Sequence, residues 1–106
     1  MIKKRNDKIR AQLEKALLYM EANLSEKLTA REIAEHAHLS PFHFQRLFSA
    51  YMGEPVSHFF LTRRLEKSAQ ILSETPETNL LELALDIGFE THSSFSKSFK
   101  KHFGIS

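Results

Sequence analysis

Apolar residues recur along this chain at helical spacing. Ile9, Leu13, Ala16, Leu17, Met20 and Leu24 fall at i, i+4, i+7, i+8, i+11 and i+15, one stripe of an amphipathic helix, with Asn23 and Ser25 as suitable stop residues. Thr29-Ala30-Arg31-Glu32 reads as a capping box: the Thr29 hydroxyl can accept from the Glu32 amide while the Glu32 carboxylate accepts from the Thr29 amide. The short helix it opens turns Ile33, Ala34 and Ala37 inward. Ser40-Pro41 is a second start, a cap followed by a proline where no amide hydrogen is missed. Phe44, Leu47, Phe48 and Tyr51 follow, and Gly53 closes that helix. From Pro55, the residues Val56, Phe59, Phe60, Leu65, Ala69 and Leu72 support a long helix to about Ser73, broken at Thr75-Pro76. Asn79-Leu80-Leu81-Glu82 opens another, running through Leu83, Ala84 and Ile87 to Gly88. Thr91 caps a last helix that bears Phe95, Phe99 and Phe103 and ends at Gly104. The pattern predicts an all-α chain of about seven helices with no convincing strand.

Two of the helix pairs repeat. Ile33-Ala34 with Ala37 and Leu39 matches Leu83-Ala84 with Ile87 and Phe89 at an offset of fifty, and Phe44, Phe48 and Gly53 match Phe95, Phe99 and Gly104 at fifty-one. The extra residue falls near Glu90, in the second turn. A short helix, a tight turn and a longer helix have helix-turn-helix proportions. Paired hairpins that merely pack a core would look the same in one copy; two copies in register are more specific. The organisation expected is a first helix-turn-helix subdomain with an N-terminal helix over 1–53, a linker helix over 54–75 and a second helix-turn-helix over 76–106.

The phenylalanines fix the buried stripe of each second helix, because residues four apart share a face. Phe42, Gln45, Arg46 and Ser49 then point outward in the first copy, and Ser93, Ser96, Lys97 and Lys100 in the second. Gln and Arg can bond adenine and guanine in bidentate fashion in a major groove, whereas Ser and Lys are more permissive. An outward Phe42 has either a contact with a thymine methyl or a staple-like contact at the helix start to explain it.

Composition narrows the function classes. The chain has 106 residues, 42% of them hydrophobic and 26% charged, with three glycines and three prolines, as in one ordinary globular domain. The absence of cysteine excludes a disulfide scaffold, a thiolate nucleophile and cysteine-based zinc sites. The longest apolar run, Ala16 to Met20, is about fifteen residues too short for a bilayer. Lys3, Lys4 and Arg5 precede Asp7, Lys8, Arg10 and Gln12 where a signal peptide would be apolar, so a soluble domain of a reducing compartment is expected. His36, His38, His43 and His58 lack the His-Glu-x-x-His spacing of a metal enzyme, and no glycine-rich phosphate loop occurs. Neither enzyme activity nor a cofactor or metal is expected.

The net charge is only +2, but it is unevenly spread. Residues 1–15 hold six Lys/Arg against two acids and 38–67 hold four against two, whereas 16–37 hold two against four and 68–85 none against three. Residues 86–106 hold three against two. Such alternation permits a basic face, although on charge alone a mixed solvated surface is its commoner source.

From about Ile9 to Ser106 the chain resembles the DNA-binding domain of AraC/XylS-type bacterial transcription activators. The matching motifs are Leu28-Thr29-Ala30-Arg31-Glu32-Ile33-Ala34, Leu39-Ser40-Pro41-Phe42-His43-Phe44-Gln45-Arg46-Leu47-Phe48, and Arg64-Leu65 with Ala69 and Leu72. The second half adds Glu82-Leu83-Ala84, Gly88-Phe89, Ser94-Phe95-Ser96-Lys97-Ser98-Phe99-Lys100-Lys101 and Phe103-Gly104. The resemblance implies a transcription regulator, more in keeping with an activator, whose two recognition helices enter successive major-groove segments of one asymmetric site. By position it implies base reading by Phe42, Gln45 and Arg46, then by His92, Ser93, Ser96 and Lys97. Ser40, Ser49, Thr91, Lys100 and Lys101 are the phosphate candidates. Double-stranded DNA is the implied partner, RNA polymerase a second one for an activator, and the bacterial cytoplasm and nucleoid the location.

Family domains usually continue beyond Gly104-Ile105-Ser106 with a proline and Tyr-Arg, so the chain is expected to be a truncated N-terminal part of a longer regulator. An effector ligand would act only through a further domain, one resembling a multidrug-binding, gyrase-inhibitor-like module. The fragment itself is expected to be a monomer. A linker helix of nineteen residues at about 1.5 Å each spans roughly 28 Å, comparable with the roughly 34 Å of a DNA turn. That helix is expected to lend Phe60, Leu65, Ala69 and Leu72 to both halves. The competing reading is a helical protein-binding module that keeps the shape without reading DNA; the lack of a large apolar patch and the outward Gln45-Arg46 pair argue against it.

Overall fold

Each start signal opens one helix in the computed structural model, which describes the backbone of residues 2–105 and the side chains of residues 7–105. The elements are α1 (Ile2–Ala22), α2 (Ala30–His36), α3 (Pro41–Met52), α4 (Val56–Glu74), α5 (Leu80–Asp86) and α6 (His92–Phe103). Among the described residues there are six helices, one for each stretch marked out by the start and stop residues and one fewer than the count of about seven, and there is no strand. None of the helices is long and apolar enough to cross a membrane.

The caps form as the residue types require. The Thr29 hydroxyl accepts from the Glu32 amide at 3.1 Å and the Glu32 carboxylate accepts from the Thr29 amide at 3.1 Å, completing the box. Asn79 Oδ1 accepts from the Glu82 amide at 3.0 Å. At the end of α1, Asn23 Nδ2 donates to the Tyr19 carbonyl at 2.8 Å and satisfies one of the acceptors that a helix terminus leaves open.

The chain packs as two units. The first comprises residues up to Asn23 together with Leu28–Phe59. Its buried residues include Leu13, Ala16 and Met20 of α1, Ile33, Ala34 and Ala37, then Phe44, Phe48 and Val56. The Phe48 ring lies 5.7 Å from that of Phe44 and meets Phe59 edge-on at 5.4 Å. The second unit comprises Leu24–Lys27 and the residues from Phe60 onward. Leu65, Leu83, Ala84, Ile87 and Phe95 form its core, with Leu61, Ile71, Leu72, Phe89 and Phe99 around them. Phe60, Leu65, Ala69 and Leu72 all belong to this second unit, and from α4 it is Val56 and Phe59 that belong to the first.

The repeat holds down to backbone angles. Helices α2 and α5 have seven residues each and exit through Ala37 and Ile87 at the same φ of −89° and ψ of 4°. In both turns a 6→1 bond (Leu39 to Ala34, Phe89 to Ala84, each 2.9 Å) brackets a 5→2 bond (His38 to Glu35, Gly88 to Leu85, each 3.1 Å). This is a Schellman exit, which places one residue in the left-handed region: His38 at φ 61° and Gly88 at φ 98°. Helices α3 and α6 have twelve residues each and end on Gly53 and Gly104.

The correspondence also extends into the helix before each pair. Ile9, Leu13, Ala16, Leu17 and Met20 of α1 correspond, fifty-two residues on, to Leu61, Leu65, Ser68, Ala69 and Leu72 of α4. Leu13 and Leu65 are both buried, as are Ala16 and Ser68. Ser68 compensates for its burial by donating to the Leu65 carbonyl at 2.7 Å. Each unit is therefore a supporting helix followed by a helix-turn-helix.

Both supporting helices touch the turn of their own unit. In the first, Gln12 Nε2 donates to the Ala37 and His38 carbonyls at 3.3 and 3.4 Å. In the second, Arg64 lies against Gly88 so closely that a Cβ there would sit 3.0 Å from the guanidinium carbon. Arg64 Nε also donates to the Leu24 carbonyl at 2.6 Å and Nη2 donates to the Glu26 carbonyl. Its guanidinium lies 4.3 Å from the centre of the Phe60 ring, and burial lowers its pKa from the ordinary arginine value. Glu90, the extra residue of the second turn, pairs with Lys27 at 2.7 Å.

Three stability outcomes follow from these turns. Gly53→Ala meets open space, so only its positive φ costs, about 1–2 kcal/mol; Gly88→Ala adds the collision with Arg64 and should lose clearly more in urea unfolding. Equal losses would contradict the Arg64 packing. His38→Gly relieves the same strain at a cost in unfolded-chain entropy, for a net gain of up to about 1 kcal/mol. The Lys27 hydrogen bond and charge hold the Glu90 pKa below its ordinary value. A carboxylate depressed on folding adds stability above its unfolded pKa and loses it as pH falls through the folded one. A Lys27→Ala/Glu90→Ala double-mutant cycle should therefore show coupling at pH 7 and low salt that vanishes in acid or at high salt.

Candidate nucleic-acid interface

The outward face of α3 is built by its apolar stripe. Phe44 and Phe48 are fully buried, which leaves Phe42, Gln45, Arg46 and Ser49 on the opposite side. These four residues line one shallow, open cleft. Phe42 is 73% exposed. The Arg46 guanidinium lies 5.6 Å from the Phe42 ring centre, close enough for a cation–π attraction that steadies a long exposed side chain. Ser40 caps the helix, its Oγ accepting from the His43 amide at 3.2 Å. A capping hydroxyl uses a lone pair, so its hydrogen still has donor capacity.

Helix α6 follows the same plan with different chemistry. Thr91 Oγ1 accepts from the Ser94 amide at 3.0 Å, and Phe95 is buried. His92, Ser93, Lys97, Lys100 and Lys101 are exposed. Ser93 and Lys97 lie four apart on the face opposite Phe95. Ser96, expected to point outward, is half-buried instead. It lies on the flank of the helix, in a cleft shared with His92, Lys100, Leu72, Leu80, Phe95, Phe99 and Ile105. Lys100 and Lys101 occupy the last turn, where they also complement the helix dipole.

Charge separates the first helix of each pair from the second. Neither α3 nor α6 contains an acidic residue, whereas α2 carries Glu32 and Glu35 and α5 carries Glu82 and Asp86. An acid-free, polar, exposed helix face is what a polyanion tolerates. No group of three or more His, Asp or Glu among the described side chains is arranged to hold a metal ion. On the α5 surface Leu81 and Leu85, four residues apart, are 53% and 52% exposed.

Gln12 is the residue that motif reading missed, and Arg64 entered only within the Arg64-Leu65 motif, with no role attached. Neither belongs to a recognition helix, and neither stands out by type. The available signal was the fifty-two-residue offset between α1 and α4, which puts both at one place in the repeat.

A family model described as a helix-turn-helix domain matches residues 33–106. The chain is 34% identical over 93 residues to the transcriptional regulator ArgR of Pseudomonas aeruginosa, which covers 88% of this chain and 28% of that protein. It is 32% identical to the transcriptional activator AarP of Providencia stuartii, covering 89% of this chain and 69% of AarP. It thus spans less than a third of the first of these relatives. Among solved structures, a transcriptional regulator with an AraC-type DNA-binding domain from Chromobacterium violaceum superposes with a TM-score of 0.85 at 32% identity, over 92% of this chain and 86% of that one.

Proposed function

This chain belongs to the AraC-type helix-turn-helix family of transcriptional regulators, and from that premise we propose that α3 and α6 read successive major-groove segments of one asymmetric site in double-stranded DNA. The observation that carries the proposal is the pair of twelve-residue, acid-free helices with matching caps and exposed polar faces. In the first, Arg46 is suited to guanine, Gln45 to adenine and Phe42 to a thymine methyl. In the second, His92, Ser93, Ser96 and Lys97 hold the corresponding places, with more permissive chemistry. Ser96, being half-buried, serves this role only where the groove wall reaches the flank of α6.

The hydroxyls of Ser40, Ser49 and Thr91, with Lys100 and Lys101, contact phosphates and set the register. Any bend that the duplex needs in order to meet both helices costs on the order of 1–6 kcal/mol. The protein acts as an activator in the bacterial cytoplasm and nucleoid, and this chain binds as a monomer. An effector ligand acts through a further domain. For contact with RNA polymerase, the exposed Leu81 and Leu85 among Glu77, Glu82 and Asp86 offer an apolar and acidic surface that DNA would not use. The same surface would serve a protein-binding module that does not read DNA, and sequence-independent binding would favour that second reading.

Arg46→Ala should lose about 1–3 kcal/mol on the cognate duplex and relax specificity at one position; equal loss on all sequences, measured by fluorescence anisotropy, would refute base reading by Arg46. Lys97→Ala should cost less and reduce the dependence of log K on log salt by about one unit if Lys97 meets phosphate. An unchanged slope would remove it from that role.

A further inference from the structure

We infer that Gln12 and Arg64 are the positioning residues of the two reading helices, each setting the angle of its own helix-turn-helix by bracing the turn. The inference rests on the DNA-reading proposal and adds residues that touch neither base nor phosphate. The two side chains stand at one place in the repeat, fifty-two residues apart on α1 and α4. Each reaches the residue in its turn that adopts a positive φ: Gln12 through the His38 carbonyl, Arg64 by packing against Gly88. That residue is the pivot between the first and second helix, since only backbone angles within the turn set how α3 leaves α2, or α6 leaves α5. A reading side chain must be held within about 0.5 Å of its productive place, so an unbraced pivot degrades discrimination before it degrades folding.

The two braces differ in strength. Gln12 makes long bonds of 3.3 and 3.4 Å from a half-buried neutral amide to the carbonyls of Ala37 and His38. Arg64 is charged, stacked 4.3 Å from the Phe60 ring centre and bonded to the Leu24 and Glu26 carbonyls. It thereby holds segment Leu24–Lys27, from which Lys27 reaches Glu90 two residues beyond Gly88. The extra residue of the second turn is thus part of its bracing. Hydrogen bonds to charged groups are roughly twice as strong as neutral ones, so loss of Arg64 should have the larger effect.

The test uses a duplex enriched by the wild-type protein and two derivatives, each with one conserved block replaced. Affinities are measured by anisotropy well below the unfolding midpoint, with the active fraction determined by stoichiometric titration. Partial unfolding lowers the active fraction equally for all three duplexes, whereas a misplaced helix changes the ratio of affinities for one block. Gln12→Met keeps the shape but not the donors and should erode discrimination at the first block alone. Arg64→Gln should erode it at the second block alone, by about fivefold or more, with Arg64→Lys intermediate. Should Arg64→Gln fail to fold, Arg64→Lys and Gln12→Met still decide the matter. Unchanged discrimination, or equal erosion at both blocks, would overturn the positioning role. A wild-type protein that discriminates at neither block would instead refute the DNA-reading proposal itself.

Discussion

The guanidinium of Arg64 makes four contacts at once: a face on the Phe60 ring, bonds to the carbonyls of Leu24 and Glu26, and a close approach to Gly88. Its partners come from three separate stretches of the second unit. The arrangement favours glycine at 88 for two reasons, the positive φ and a tight approach of the Arg64 guanidinium that a Cβ would have to push back. The first unit meets the same demand for a left-handed residue with His38, and meets the bracing demand with Gln12. An imidazole is tolerable there because the brace approaches the carbonyls rather than the position of the side chain.

Once the turns are held, the rest of each unit is determined by a simple division. Phenylalanines four apart bury one face of the second helix, and the other face is left to residues that bear no negative charge. The acids lie on the other four helices and in the connections between helices. A chain with a net charge of only +2 can thus still offer two acid-free helices to a polyanion. The reading faces are not equivalent: α3 offers Gln45 and Arg46 beside an exposed aromatic ring, and α6 offers serines and lysines. Under the proposed function, specific contacts would be concentrated in α3, and α6 would contribute more to affinity that salt can screen.

Much of this was legible in the amino-acid sequence, because capping and periodicity are local. The Thr29–Glu32 box, the Ser40-Pro41 start and the glycine stops needed only a few adjacent residues to identify. The Phe42, Gln45, Arg46 and Ser49 face followed from the spacing of Phe44 and Phe48. What escaped was non-local. The stripe of α4 read as a connector, and its correspondence with α1 was hidden by Ala16 giving way to Ser68 and by Gln12 giving way to Arg64. Ser96 read as outward from its own helix, yet Leu72, Leu80 and Ile105 share its cleft. Leu81 read only as part of a helix start and Leu85 drew no reading; their exposure follows from Leu83 and Ala84 claiming the core.

The central claim is that two braced turns present two reading helices to one DNA site. In-vitro selection from a randomised duplex library at moderate salt tests it most directly. Two short conserved blocks about one helical turn apart are the predicted result. No enrichment, with binding that merely fades as salt rises, would contradict it and leave a helical domain that attracts DNA without reading it.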